Sequence, residues 1–303
     1  MTGAAEWIAL DWGTTHLRAF AVRSSEIVAQ AGSDDGMARL AREDYEPALL
    51  RLIGGWLAPG RATVVIACGM VGSRQGWHEA PYRDVPCRPL EPGSLVAVAT
   101  RDVRLAVRLV PGLRQTSPAD VMRGEETQIA GALALLPGFD GVLCLPGTHS
   151  KWVHVSAGEV VSFQTFMTGE LFALLSEQSV LRHGMAGEGW DGPAFDAAVS
   201  DALSRPEKIA ARLFALRAEA LIAGLAPASA RARLSGMLIG LELAGSRAYW
   251  LGQPVAIVGA EALSGLYARA LAAQGAAVRQ LSGAETVLAG LSAAHSGTME
   301  TTR

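Results

Sequence analysis

A short apolar strand, a turn carrying Gly-Thr and a second strand occur twice in this chain. The first copy is Leu10-Asp11-Trp12-Gly13-Thr14-Thr15, and the second is Leu145-Pro146-Gly147-Thr148-His149. Each hairpin opens a stretch in which strands alternate with helical patterns, which reads as an α/β protein. At 303 residues the chain is long for a single core and suits two domains. No connection is rich enough in Pro, Gly or Ser to mark a loose linker. Two domains packed across a cleft are therefore expected. Residues 1–138 hold the first turn, 139–283 hold the second, and a helix over 284–303 packs back on the first domain.

Periodicity predicts strands over 6–10, 17–22, 63–67, 105–110, 142–145, 151–155, 159–166 and 255–258. It predicts helices over 46–57, 125–136, 171–179, 209–225, 231–248, 263–274 and 284–294. Residues 11–16 are expected as the turn between the first two strands. No solenoid repeat is visible.

Composition removes several classes. Hydrophobic residues make up 50% of the chain, enough for large cores and far from a disordered composition. The net charge is -3 without a basic block, so no nucleic-acid partner is expected. No run approaches the roughly 18 to 20 apolar residues of a membrane helix, so no membrane partner is expected. The chain reaches Asp11 almost at once, leaving no room for a signal peptide. Cys68, Cys87 and Cys144 are odd in number and widely spaced. They read as reduced thiols of a cytoplasmic protein. A Walker loop and a Gly-x-Ser-x-Gly elbow are both missing, which excludes P-loop kinases and the common serine hydrolases. Gly187-Glu188-Gly189-Trp190-Asp191-Gly192 fits the dinucleotide pattern, but no strand precedes it and it falls in a polar connection.

Four segments carry chemistry. In the first, Asp11 ends a buried strand, where a carboxylate needs a cation or donors. Gly13 allows a close backbone approach, and Thr14 and Thr15 offer hydroxyls and N–H groups to phosphate oxygens. That set suits Mg²⁺ on Asp11 and a triphosphate on the turn. An ordinary Asp-Gly hairpin turn explains the same residues. The second is Val121-Met122-Arg123-Gly124-Glu125-Glu126-Thr127-Gln128. Acids favour a helix N-terminus for electrostatic reasons alone. Alternatively, one of them is the general base for a substrate hydroxyl.

The third is the turn at Gly147 and Thr148, with Lys151 as a point charge for phosphate. Only Lys151 and Lys208 among the 26 basic residues are lysines. His149 either hydrogen-bonds substrate or caps the turn. The fourth is Ile257-Val258-Gly259-Ala260, where two small residues after a strand leave room for a flat adenosine ring. Close strand-to-helix packing accounts for Gly259 and Ala260 equally well.

The first segment resembles the first phosphate loop of the actin-like ATPase and sugar kinase superfamily. The exopolyphosphatase branch of that superfamily has a similar Glu-Glu helix start at a similar distance before its second loop, which favours Glu125 as the base. Several pieces in order resemble one narrow family, the 2-dehydro-3-deoxygalactonokinases. They are Asp11 to Thr15 with Leu17-Arg18-Ala19, Gly69-Met70-Val71-Gly72-Ser73 with Gly76-Trp77 and Ala80-Pro81-Tyr82, and Val121 to Gln128. Pro146-Gly147-Thr148-His149 with Lys151-Trp152-Val153, and Met167-Thr168-Gly169-Glu170-Leu171, complete the set.

The resemblance implies a two-lobed actin-like ATPase (ribonuclease H-like) fold, with mixed sheets flanked by helices and the active site in the interdomain cleft. It implies transfer of the ATP γ-phosphate, with Mg²⁺, to the 6-hydroxyl of 2-dehydro-3-deoxy-D-galactonate in galactonate catabolism. Asp11 would hold the metal and Glu125 would deprotonate the hydroxyl. Gly13, Thr14, Thr15, Gly147, Thr148 and Lys151 would hold phosphate, and Gly259 and Ala260 adenosine. Arg123 suits the substrate carboxylate. Ser73, His149, Thr168 and Glu170 would complete the substrate pocket, although Thr168 also suits a helix cap. The chain has Leu145-Pro146 where the superfamily's second loop usually opens with an acid, which leaves Asp11 to anchor the metal without that help. Other readings stay open: a kinase of another sugar acid such as 2-dehydro-3-deoxygluconate, a polyphosphate or nucleotide hydrolase of the same fold, and a non-catalytic sugar-responsive regulator. The expected partners are the sugar acid and ATP, and a homodimer is compatible with the chain.

Overall fold

The computed structural model describes residues 4–300. The chain begins with the meander β1 (Trp7–Trp12), β2 (Leu17–Arg23) and β3 (Glu26–Ser33), then α1 (Tyr45–Ile53) and β4 (Thr63–Cys68). Short strands β5 (Arg83–Asp84) and β6 (Val96–Ala97) precede β7 (Leu105–Leu109), β8 (Leu113–Thr116), β9 (Ala119–Met122) and α2 (Glu125–Leu135). Next come β10 (Gly141–Leu145), β11 (Ser150–Ser156), β12 (Glu159–Phe166), α3 (Thr168–Ala173) and α4 (Gly192–Ser204). Then follow α5 (Ile209–Ile222), α6 (Pro227–Gly245), α7 (Arg247–Trp250), β13 (Val255–Gly259), α8 (Glu261–Ala272), β14 (Val278–Ser282) and α9 (Gly283–Glu300).

Two compact units result. Among the described residues, the first comprises 4–139, 155–162 and 283–300; the second comprises 140–154 and 163–282. Of the helix expected over 284–303, α9 accounts for 283–300; residues 301–303, like 1–3, lie outside the described residues.

The first unit is built on a six-stranded sheet of order β3-β2-β1-β4-β7-β6, with β1 parallel to β4 and β4 parallel to β7. Both faces are covered, so β1 is buried almost throughout and reads as a continuous apolar run rather than an alternation. One face packs Ile8, Leu10, Val65 and Val107 against Tyr45, Leu49 and Ile53 of α1. The other packs Trp7, Ala9, Ile66 and Cys68 against Val287, Leu291 and Ala294 of α9. α9 also lies close against α2. A Cβ at Gly131 would strike the Thr286 carbonyl, and one at Gly290 the Thr127 carbonyl, so the two helices meet backbone to backbone.

The second unit has a five-stranded sheet of order β12-β11-β10-β13-β14, in which β10, β13 and β14 run parallel. With the two-residue edge strand β6 set aside, this repeats the order of the other sheet, third-second-first-fourth-fifth along the chain. Its core joins Trp152, Phe195, Val199, Ile239, Leu243, Ile257 and Tyr267. α4 and α6 approach closely because Gly236 and Gly240 present no side chain: a Cβ on Gly240 would come within 2.7 Å of the Val199 carbonyl.

Several local readings are corrected. β1 continues through Asp11 and Trp12, which pair with Arg18 and Leu17, so the turn is only 13–16. β3 and β14 are edge strands with mixed burial and lack the pattern that exposes a strand in sequence. α4 starts at the last glycine of the rejected dinucleotide pattern, with Asp191 capping the Ala194 amide, where a polar connection was expected. The helix expected over 171–179 begins earlier, at Thr168, and its last turn widens so that the Ser179 amide reaches the Leu174 carbonyl.

Candidate active site

In the first unit, three backbone segments converge at the carboxyl ends of β1 and β4. Asp11 lies opposite Arg18 on β2 and beside Cys68 on β4. Its side chain is 17% exposed, and Arg18 Nη2 stands 2.5 Å from Oδ2. Burial raises the Asp11 pKa, and the Arg18 charge and hydrogen bond oppose that rise. The site thus carries a desolvated acid that depends on a neighbouring cation.

Beyond it, the Gly13 amide donates to the His16 carbonyl at 2.9 Å, closing a tight turn. Amides of Met37 and Ala38 donate to the carbonyls of Gly13 and Thr14 and brace the turn from outside. Gly36 sits so close to the Thr14 and Thr15 backbone that it has no space for a side chain. The braced turn leaves Thr14 and Thr15 exposed. A pocket of 600 Å³ lined by His16, Leu17, Arg18, Gly32, Ser33 and Asp34 opens alongside.

Gly69 follows β4 with φ of 93°, and a Cβ there would lie 2.7 Å from the Trp12 carbonyl. Gly124, with φ of 105°, packs on Gly69 in turn, since its Cβ would meet Gly69 Cα at 3.3 Å. Both conformations belong to glycine. They bring the start of α2 to the strand ends. There the two acids take different roles. Glu125 is half-buried and accepts from the Arg123 amide at 2.9 Å. Glu126 is fully buried and accepts from the Gly124 amide at 2.7 Å and from Thr127 Oγ1 at 3.1 Å. Burial, helped by the Glu125 charge, pushes the Glu126 pKa up to about 8.

Arg123 and Ser73 lie in the same region but have protein partners. Arg123 Nη2 donates to the Ala80 carbonyl at 2.8 Å, and its guanidinium lies over the Tyr82 ring, 4.3 Å from the centroid. Its Nε and Nη1 are enclosed without a hydrogen-bond partner. Ser73 is 5% exposed, and its hydroxyl donates to Met37 Sδ at 3.1 Å.

In the second unit the turn between β10 and β11 is walled by the start of α3. The Glu170 amide donates to the Thr148 carbonyl at 3.0 Å, and Glu170 Oε2 pairs with His149 Nε2 at 2.6 Å. Gly169 must be glycine for space, because any Cβ would strike the Gly147 carbonyl. Thr148 and His149 are exposed, whereas Lys151 is 4% exposed, with Nζ 3.5 Å from the His149 carbonyl. Thr168 is 8% exposed and its hydroxyl bonds Glu242 of α6. A Cβ on Gly259 would meet Ser264 Oγ at 3.0 Å and the Pro146 carbonyl at 3.5 Å, so this residue brings the end of β13 against the second turn. Ala260 beyond it is exposed.

Sequence reading missed the partners of these groups. Arg18 was legible, since it stands in the first motif at the register that faces Asp11. Met37 and Glu242 carry no local signal. Among the described residues, no group of three or more His, Cys, Asp or Glu side chains is arranged to hold a metal, and no helix is long and apolar enough to cross a membrane.

The strand order shared by both sheets, with a Gly-Thr turn after the first strand of each, places the chain among the actin-like ATPases and sugar kinases. The chain matches the model of the 2-keto-3-deoxy-galactonokinase family over residues 11–294 and belongs to that family. It is 42% identical to a Rhizobium meliloti (strain 1021) protein named as a probable 2-dehydro-3-deoxygalactonokinase, over 97% of this chain and 98% of that one. It is 34% identical to the 2-dehydro-3-deoxygalactonokinase of Escherichia coli (strain K12), over 95% and 96% of the two chains. A crystal structure from Sinorhizobium meliloti named for the same kinase superposes with a TM-score of 0.88 at 40% identity, covering 95% of this chain and 97% of that one.

Proposed function

We propose that the protein is an ATP-dependent kinase that phosphorylates the 6-hydroxyl of 2-dehydro-3-deoxy-D-galactonate in galactonate catabolism. The observation that carries this reading is family membership over nearly the whole chain. The relatives named for this activity share 42% and 34% identity with it. We place the enzyme in the cytoplasm, in keeping with its three free thiols.

In this reading the first unit supplies the metal-side acid, the base and one phosphate turn. The second unit supplies Gly147, Thr148 and Lys151 for phosphate and Gly259 and Ala260 for adenosine. Glu125 is assigned as the base because it is half-buried at the helix start, whereas Glu126 is enclosed and holds the Gly124 amide. With Glu125 accepting the hydroxyl proton, the oxygen gains nucleophilicity as it attacks the γ-phosphorus, whose bond to the β–γ bridging oxygen breaks to release ADP. Thr14 and Thr15 stand exposed on a turn fixed from outside, so their donors are already aimed when triphosphate arrives. Arg123, Ser73, His149, Thr168 and Glu170 form the proposed acceptor side.

Mg²⁺ fits this donor set. Asp11 is a desolvated carboxylate that already holds a cationic partner, and a magnesium ion takes one or two carboxylates with phosphates and waters. When bound, the ion would neutralise charge on the β- and γ-phosphates. Arg18 must yield Asp11 for that to happen, and its exposed side chain is free to turn.

A coupled ADP-release assay over a panel of sugar acids tests the proposal. Turnover is expected with 2-dehydro-3-deoxy-D-galactonate and little without acceptor. Equal ADP release with and without a sugar acid would point to a hydrolase instead, and faster turnover of the gluconate epimer would reassign the substrate.

A further inference from the structure

Glu242 has no part in the mechanism above, yet it is a buried acid with an unusual set of partners. It sits on α6 and is 1% exposed. Oε1 accepts from Trp152 Nε1 at 2.8 Å, and Oε2 accepts from the Tyr267 hydroxyl at 2.7 Å. The hydroxyls of Thr168 and Ser150 also bond this carboxylate, and Ser150 and Tyr267 stand 3.0 Å apart. The four donors come from β11, α3 and α8. Burying a carboxylate is costly unless its lone pairs are filled. Four donors face them here and oppose the rise in pKa that burial causes.

The donors lie around the second Gly-Thr turn. Ser150 is the first residue of β11 and directly follows His149; Trp152 stands two residues on. Thr168 opens the helix whose next two residues wall the turn, Gly169 against the Gly147 carbonyl and Glu170 on Thr148 and His149. Glu242 therefore grips both the strand that leaves the turn and the helix that backs it.

We propose that Glu242 is a positioning residue for the second phosphate turn, fixing Gly147 and Thr148 through Ser150, Trp152 and Thr168. The proposal rests on the reading that this turn binds phosphate. Glutamine tests it with little change of shape. Its oxygen can serve Trp152 and its amide can donate to the Tyr267 oxygen, but it leaves fewer acceptors for Thr168 and Ser150, so the turn loosens while the fold is kept.

The experiment is calorimetric binding of a non-hydrolysable ATP analogue with Mg²⁺, on wild type, Glu242→Gln, Thr168→Val, Thr148→Val and the Glu242→Gln/Thr148→Val double variant, each checked for a native circular dichroism spectrum. Glu242→Gln and Thr168→Val are each expected to weaken binding about tenfold or more, because small displacements of positioned groups carry large penalties. In the Thr148→Val background the Glu242→Gln effect should shrink, since both act on one turn. Unchanged affinity in Glu242→Gln and Thr168→Val beside a weakened Thr148→Val overturns the role of Glu242 alone, even if their melting temperatures fall. Unchanged affinity in Thr148→Val overturns the phosphate assignment and the proposal with it. Full additivity in the double variant also overturns it. If Glu242→Gln does not fold, Thr168→Val removes one of the four bonds and decides the question.

Discussion

Glu126 makes the stability of the first unit depend on pH in a direction opposite to that of most carboxylates. It is fully buried, and its pKa is pushed from 4.5 up to about 8, first by burial and then by the Glu125 charge. Below pH 4.5 the folded and unfolded chains both hold the proton. Between 4.5 and about 8 the unfolded chain releases it while the folded chain keeps it, so stability falls as pH rises through this window. Above about 8 both are ionised and the loss is complete. The displacement, 8 minus 4.5, spans about 3.5 pH units at about 1.4 kcal/mol each, or about 5 kcal/mol in all. Glu126→Gln mimics the protonated acid, since its carbonyl accepts from the Gly124 amide and its NH₂ can donate to Thr127 Oγ1. Thermal melts of wild type and Glu126→Gln from pH 4.5 to 8.5 check this. Other titrating groups cancel in the difference. The variant should gain on wild type across the window, reaching on the order of 10 °C in melting temperature. Parallel curves would refute the reasoning, because they would mean that Glu126 ionises alike in both states. Glu125→Gln should remove part of the same slope by deleting the second cause.

Asp11→Asn is expected to cut kcat by about a hundredfold or more while the melting temperature stays within a few degrees, because the cation-dependent acid is lost and the strand remains; near-normal turnover would sink the metal assignment. Glu125→Gln should lower kcat about 10²- to 10⁴-fold, and far more than Glu126→Gln at pH 7; the reverse ranking would move the base by one residue. Gly169→Ala should raise KM for ATP and lower the melting temperature, since its Cβ points into the Gly147 carbonyl, and unchanged kinetics would mean that the α3 start does not hold the turn.

Strands buried on both faces and helices with apolar spacing were legible from residue types alone. β10 and β13 are buried end to end or nearly so, and the five residues of each read as continuous apolar runs. β3 and β14 were not legible, because edge strands bury only part of each side and lose the pattern. α4 was readable in principle: Phe195, Ala198, Val199, Ala202 and Leu203 follow helical spacing behind an Asp cap and a proline, but the glycines ahead of them suggested a loop. The Gly-Thr turns and the Glu-Glu helix start were visible because small and acidic residues at strand and helix ends carry a local meaning. What grips them was not. Met37 under Ser73 and Glu242 beneath the second turn become partners only once distant segments pack together. The three free cysteines and the absence of a membrane-length helix among the described residues follow the composition directly.

The backbone contact of α9 with α2 bears on how the chain matures as it is made. The helix that presents Glu125 is backed by residues 283–300, which are synthesised only after all of 140–282. During vectorial synthesis the second unit can close first, while the first unit waits with the α9-facing side of its sheet bare. Trp7, Ile66 and Cys68 then stay uncovered until Val287 and Leu291 emerge. The order of completion is thus inverted relative to the order of translation, and the helix that carries the proposed base gains its support last.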